Sequence, residues 1–299
     1  MANAFTQIQD KIIAREGIAQ LNKILAPLYA FSTNISAEAA KKGDTINVPN
    51  WKTRTAVDFA GDYETTDSTD AGVPVSLTKH LYASAHISDR EFMESSADMF
   101  MGIGGQLGKA VAAGVFGYVC GLVTAASFGN AAGDKTVAAT ATDFTKDDVL
   151  DARGKLTAKG ARPDESAGVL DSAYFTNLLN DAVFFAQNFG GTEAVRGGQI
   201  PGLYGFSAVY ETTGIGTVDA GALKGFFAHR SSLAVAVRTL LPQSNRVMEA
   251  SDVVTDDETD IGMTYRRWYS SKSGKMWFSF EALCGAAKVN AALVRVATA

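Results

Sequence analysis

The longest apolar stretch of the chain runs from Ser95 to Phe128, and its pattern predicts a single helix. Ser95 with Asp98 three residues on forms a capping-box start, and Gly129 directly after Phe128 is the residue type that ends helices in the left-handed conformation. At ~1.5 Å per residue the helix would be about 50 Å long. Ala110, Gly114, Gly117, Gly121 and Ala125 recur at spacings of three and four, a stripe of small side chains. Val111, Val115, Tyr118 and Leu122 follow one residue on, and Phe116, Val119 and Val123 cover a third face, so this half is expected to be buried all round. Seven glycines between Gly102 and Gly121 would each cost roughly 1 kcal/mol against alanine in a free helix, and close approach of another backbone would offset that. A packed central helix crossing a sheet accounts for the pattern. The alternative is a membrane-inserting span through 110–128, which carries no charge. That window holds one leucine and no isoleucine, and no positive cluster is there to orient it.

The rest of the chain alternates between short strands and helices. Phe5, Ile8, Ile12, Ile18, Leu21 and Leu25 fit an amphipathic helix with Gly17 as a weak point and Pro27 as its stop. Two readings stay open for it: an ordinary first helix, or an arm docked on a neighbouring subunit. Thr45–Pro49 reads as an edge strand. Its partner is expected late, in Leu77–Ile87, where Leu77, Leu81, Ala83, Ala85 and Ile87 alternate with Ser76, Thr78, His80, Tyr82, Ser84 and His86. Between them lie Asp58, Asp62, Glu64, Asp67 and Asp70, with no Lys or Arg from Thr55 to Thr78, which makes a long hairpin with an acidic tip. Ser88 with Glu91 and Thr145 with Asp148 are further capping boxes. Asn130–Asp143 reads as a loop. Gly168–Asp171 is a buried strand feeding a helix through Tyr174, Phe175, Leu178 and Leu179. A glycine-rich run from Gly190 to Gly205 leads to a strand at Phe206–Tyr210. Leu223–Phe227 and Leu233–Val237 read as strands, Asp252–Asp260 as an acidic surface loop, Met263–Tyr269 and Lys275–Leu283 as a hairpin, and Ala291–Val296 as a last strand.

Composition adds limits rather than a function. With 46% hydrophobic and 20% charged residues the 299-residue chain is of ordinary globular make-up. A net charge of -5 argues against a protein that coats nucleic acid by neutralising phosphates. Cys120 and Cys284 lie in apolar surroundings and offer neither a disulfide framework nor a zinc spacing, as befits a reducing cytoplasm. No secretory signal pattern opens the chain. Catalytic templates fail position by position. A phosphate loop around Lys109 would need glycine at Ile103 and Ser or Thr at Ala110, and Gly102, Gly104 and Gly108 miss the dinucleotide spacing. Asp256, Glu258 and Asp260 lack the calcium-loop glycine, since Ile261 stands there. The expectation is therefore no catalytic residue, no metal and no cofactor.

The order of elements, together with Lys42–Pro49 (KGDTINVP), Ile87–Glu91 (ISDRE), Gly168–Ser172 (GVLDS) and Leu203–Val209 (LYGFSAV), resembles the major capsid proteins of tailed bacteriophages. The resemblance implies an α+β fold with an N-terminal arm (1–43), an extended β-hairpin loop (44–87), a peripheral domain with a long spine helix (88–143), an axial α/β domain (144–229) and a return to the peripheral domain (230–299). It further implies a structural subunit, not an enzyme, of an icosahedral or prolate capsid that self-assembles into pentamers and hexamers around double-stranded DNA without sequence-specific binding. Scaffolding, portal or cement proteins are further implied partners, a membrane is not, and the location is the virion, assembled in the bacterial host cytoplasm. Arg230, Arg266 and Arg267 are the expected partners of the acidic tip on an adjacent subunit. A lysine-based crosslink from the tip is not expected, because no lysine lies between Thr53 and Thr78. An encapsulin-like nanocompartment shell shares the fold and is the alternative.

Overall fold

In a computed structural model of the chain, the structure describes residues 4–35, 45–50, 56, 58–59, 72–94, 97–128, 136–180, 199–201, 203–213, 215, 218–240, 250–255 and 261–298. The first part of the chain gives α1 (Ala4–Phe31), β1 (Ser32–Asn34), β2 (Thr45–Val48), β3 (Val73–Ser76), β4 (Lys79–Ser88), α2 (Asp89–Glu94), α3 (Ala97–Cys120) and α4 (Ala125–Phe128). Then come β5 (Thr136–Ala138), α5 (Lys146–Ala158), β6 (Ser166–Asp171), α6 (Ser172–Asn180), β7 (Gln199–Pro201) and β8 (Ala208–Thr212). The last part forms β9 (Leu223–His229), β10 (Leu233–Arg238), β11 (Ala250–Thr255), β12 (Gly262–Ser270), β13 (Lys275–Lys288) and β14 (Leu293–Ala297).

A layer made by α1 and α3 lies at the centre, with a sheet packed on each of two sides. In the first sheet the long β13 is flanked by β4 along 275–284, by β12 along 275–281 and by β10 along 283–288, with β1 and β11 outside them. Alternate residues of these strands go to opposite faces. Leu233, Val235, Tyr265, Phe278 and Phe280 point to the helices, whereas Ala234, Ala236 and Leu283 meet Ile46, Val48, Val75 and Leu77 at the base of the β2–β3 hairpin. The second sheet has the order β5-β14-β9-β6-β8-β7. Its Ala167, Val169 and Phe226 share the helical core, where Phe226 meets Phe31 edge-on at 4.9 Å. On its other face Leu170, Val209, Phe227 and Val294 pack with Val149, Leu156, Tyr174 and Phe175 from α5 and α6.

The two helices touch through glycine. A Cβ on Gly108 would lie 2.3 Å from the Gly17 carbonyl oxygen, and one on Gly104 would lie 2.5 Å from that of Ile13. The expected close backbone approach therefore occurs, but at Gly104 and Gly108, not along the small-residue stripe. Ala110 and Gly121 are exposed, Gly117 has open space where a side chain would be, Gly114 faces only the Leu81 side chain, and Ala125 is half-buried in α4. One face of α3, with Gln106, Lys109, Ala110 and Ala113, meets solvent, so burial all round does not hold. Gly17 is no weak point either: it is the seat of the contact, flanked by the Phe280 ring.

Other expectations are corrected by local energetics. Pro27 does not stop α1. A proline inside a helix costs about 3 kcal/mol, but Leu28 and Phe31 beyond it are fully buried, worth roughly 1.5–3 kcal/mol each. The helix thus packs in its own chain's core. The predicted Ser95–Phe128 helix is broken after Cys120, because Thr124 turns its side chain to the Ser127 N–H (3.1 Å) and starts α4 afresh. The partner of β2 is β3, not Leu77–Ile87, which joins β13 instead. Part of the expected loop at Asn130–Asp143 is β5, and Asp252–Thr255 of the expected acidic loop belong to β11 (Ala250–Thr255), while 256–260 lie outside the described residues. The final strand β14 pairs with β9 and β5 in the second sheet, away from the strands of 233–288. Ser95 of the first capping box lies outside the described residues; the other two boxes are present, with Glu91 accepting from Ser88 N (2.9 Å) and Asp148 from Thr145 N (2.9 Å).

Candidate subunit-contact surfaces

Among the described residues the outer face of the first sheet is covered by the hairpin at one end and by Leu240, whose N–H and carbonyl both bond Thr264 Oγ1 at 2.8 Å. At the other end the rows of paired residues are His86, Trp277 and Trp268, then Ser84, Ser279 and Arg266, then Tyr82, Glu281 and Thr264. Trp268 and Trp277 stack with centroids 6.0 Å apart and planes 6° from parallel, and the His86 ring lies 4.8 Å from Trp277. Lys275 Nζ donates to His86 Nε2 at 2.9 Å. Tyr82 stands 71% exposed above this surface. Beneath it Glu281, buried, accepts from His80 Nε2 at 2.9 Å and forms an ion pair with Arg266. An aromatic groove floored by an ion pair can bind a surface. Among the described residues no group of His, Cys, Asp or Glu could hold a metal.

Of the three arginines expected to meet the acidic tip, two are already engaged within the chain. Arg267 is buried and its Nη1 lies 2.9 Å from Asp10 Oδ1, where the Tyr265 hydroxyl also donates at 2.8 Å, pinning α1 to the sheet. Burial, with Asp10 beside it, raises the Tyr265 pKa well above the ordinary phenol value. Arg266 pairs with Glu281. Arg230 is exposed, its backbone N–H donating to Glu165 O at 3.1 Å. Asp58 is exposed, and Asp62, Glu64, Asp67 and Asp70 lie outside the described residues.

The two sheets are joined where β9 passes to β10 and β13 to β14. There Ser232 Oγ donates to Ala292 O at 2.5 Å, His229 N to the same oxygen at 3.0 Å, and Asn290 Nδ2 to Ser231 Oγ at 2.7 Å. His229 bridges Ser231 Oγ (2.8 Å) and Glu165 (3.0 Å). This knot, the Trp268–Trp277 pair and the Gly17 contact were not singled out from sequence. The alternation of β4 placed Tyr82 and His86 on the open face, and carrying the same alternation across β13 would have added Trp277. Both thiols are buried, which pushes Cys284 up to about 11 and Cys120 higher still, so neither is a nucleophile at neutral pH.

No family model matches the chain, and no curated protein sequence matches it. Solved structures do. The capsid of the cyanophage P-SCSP1u superposes with a TM-score of 0.58 at 11% identity, over 90% of this chain and 86% of that one. The capsid of a native GTA particle gives 0.56 at 17% identity, over 92% and 90%. A virus-like particle from Pyrococcus furiosus gives 0.53 at 14% identity, over 95% and 97%. The chain therefore has the fold of tailed-phage major capsid proteins along nearly its whole length.

Proposed function

We propose that the protein is a structural shell subunit of a double-stranded DNA phage, working through contacts with copies of itself and not through catalysis. The observation that carries this reading is the capsid fold spanning nine-tenths of the chain and nearly as much of each neighbour. Within it, the β2–β3 hairpin is the extended loop, the first sheet with β4 and α3 is the peripheral domain, the second sheet with α5 and α6, which takes in β5 and β14, is the axial domain, and α1 leads the N-terminal segment. The open aromatic end of the first sheet and Arg230 supply surface for neighbours, with the acidic hairpin as a reaching element. Copies close as pentamers and hexamers into an icosahedral or prolate shell, assembled in the host cytoplasm and carried as the virion. Sedimentation velocity over a concentration and salt series tests this: capsomers or closed shells are expected, and a protein that stays monomeric throughout overturns it.

A further inference from the structure

Although the chain as a whole is acidic, with a net charge of -5, its helical layer is not. Lys11, Arg15 and Lys23 all stand exposed on the solvent side of α1. Lys11 and Arg15 are one turn apart and Lys23 lies about two turns on, so the three span ~18 Å at ~1.5 Å per residue. Across the α1–α3 contact Lys109, also exposed, lines both grooves that run between the two helices, one beside Gln20 and Gln106, the other beside Lys23 and Ala113. The acids bordering these grooves are Glu16, whose carboxylate accepts from Gln20 at 2.9 Å, and Glu211, which accepts from Ser172. Asp10 on the same helix is turned inward to Arg267 and Tyr265. Among the described side chains the cations therefore outnumber the acids along this ridge, in contrast to the sequence of 55–78, which holds five acids and no Lys or Arg.

We infer that this ridge, Lys11, Arg15, Lys23 and Lys109, is the surface that meets the phosphate backbone of double-stranded DNA, so that the helical layer faces the inside of the shell and the aromatic sheet face lies away from it. The inference rests on the shell reading above. Duplex DNA carries a charge every ~1.7 Å of its axis, so cations spread over ~18 Å along α1 and about a third of a turn around it find phosphates at any register, and contact needs no base recognition. Four ammonium or guanidinium groups spread over two helices bind weakly per subunit. A closed shell repeats the row in every copy, which holds a polyanion without fixing its sequence.

The test uses full-length protein held dilute and unassembled, so that the ridge is open to solvent, and a random-sequence duplex labelled for fluorescence anisotropy, titrated from 50 to 200 mM salt. Four neutralised phosphates give a slope of log affinity against log salt near -3.6, a loss of roughly 150-fold across that range. The combined Lys11→Gln, Arg15→Gln, Lys23→Gln and Lys109→Gln variant is expected to lose that slope, about 0.9 for each cation removed. Lys79→Gln with Lys272→Gln, both exposed and off the ridge, is expected to keep it. Circular dichroism checks that each variant is folded, and electron microscopy of separate, concentrated samples checks that shells form. Undetectable duplex binding by the parent at 50 mM salt, or an unchanged slope in the fourfold variant, overturns the inference. A parent that binds DNA through the ridge yet forms no shells sinks the shell reading instead.

Discussion

Gly108→Ala adds one methyl group at the point where α3 crosses α1. Its Cβ would sit 2.3 Å from the Gly17 carbonyl oxygen and 2.6 Å from Gly17 Cα, both backbone atoms that no rotamer change can move. An ordinary contact needs about 3.4 Å, so α1 would have to retreat by about 1 Å, and the Phe280 ring already closes on Gly17. Overpacking of this kind costs typically 1–3 kcal/mol, while the gain in helix propensity from Gly to Ala is about 1 kcal/mol. With backbone against backbone the cost belongs at the upper end, leaving a net loss of about 1–2 kcal/mol. Gly117→Ala has nothing within 4 Å of the new methyl and keeps the propensity gain, so its sign is opposite. Urea unfolding of dilute, unassembled protein should therefore lower the midpoint for Gly108→Ala and raise or hold it for Gly117→Ala. Equal midpoints, or the reverse order, would refute the placement of the helix contact.

Four further outcomes are expected. Arg267→Ala leaves Asp10 and the Tyr265 hydroxyl without their cation in a largely buried site, so it should destabilise by up to roughly 3–5 kcal/mol in the same unfolding assay. Trp268→Ser with Trp277→Ser should leave the far-ultraviolet circular dichroism unchanged while reducing light scattering during assembly, because the pair lies on the open face; unaltered assembly removes that surface from the contacts. Neutralising Asp62, Glu64 and Asp67 together should keep the fold and change the salt dependence of assembly, since screening acts within ~10 Å at 0.1 M, and an identical salt profile would make the tip a solvated loop. Burial raises the Cys284 thiol from its ordinary 9.0 to about 11, so its protonated form contributes stability that is whole below the unfolded value and lost as pH climbs through about 11. A thiol-specific reagent at pH 8 should accordingly label neither cysteine until the chain is unfolded.

Where local pattern decides structure, the sequence could be read. The alternation of Leu81, Ala83, Ala85 and Ile87 against His80, Tyr82, Ser84 and His86 placed both faces of β4 correctly, and the capping boxes at Ser88 and Thr145 start helices as their spacing says. The β12–β13 hairpin follows from its turn and two flanking runs. What could not be read depends on contacts distant in sequence. Nothing local tells β2 to pair with β3 before Leu77, or sends β14 to the second sheet. Pro27 reads as a stop only until Leu28 and Phe31 are seen to be buried beyond it. The glycines of α3 were recognised as needing a close neighbour, yet which ones have it is decided by Gly17, some ninety residues earlier. The aromatic groove escaped notice for the same reason: Tyr82, Trp268 and Trp277 come together only through pairing across three strands.

What the purified protein builds is the most direct measurement of its role. Cryo-electron microscopy of the overexpressed chain, in low and in moderate salt, should show closed shells with five- and six-fold capsomers, each subunit presenting the α1–α3 layer to the interior. Dispersed monomers of unchanged fold, or an ordered assembly in which the α1–α3 layer forms the outer surface, would contradict it.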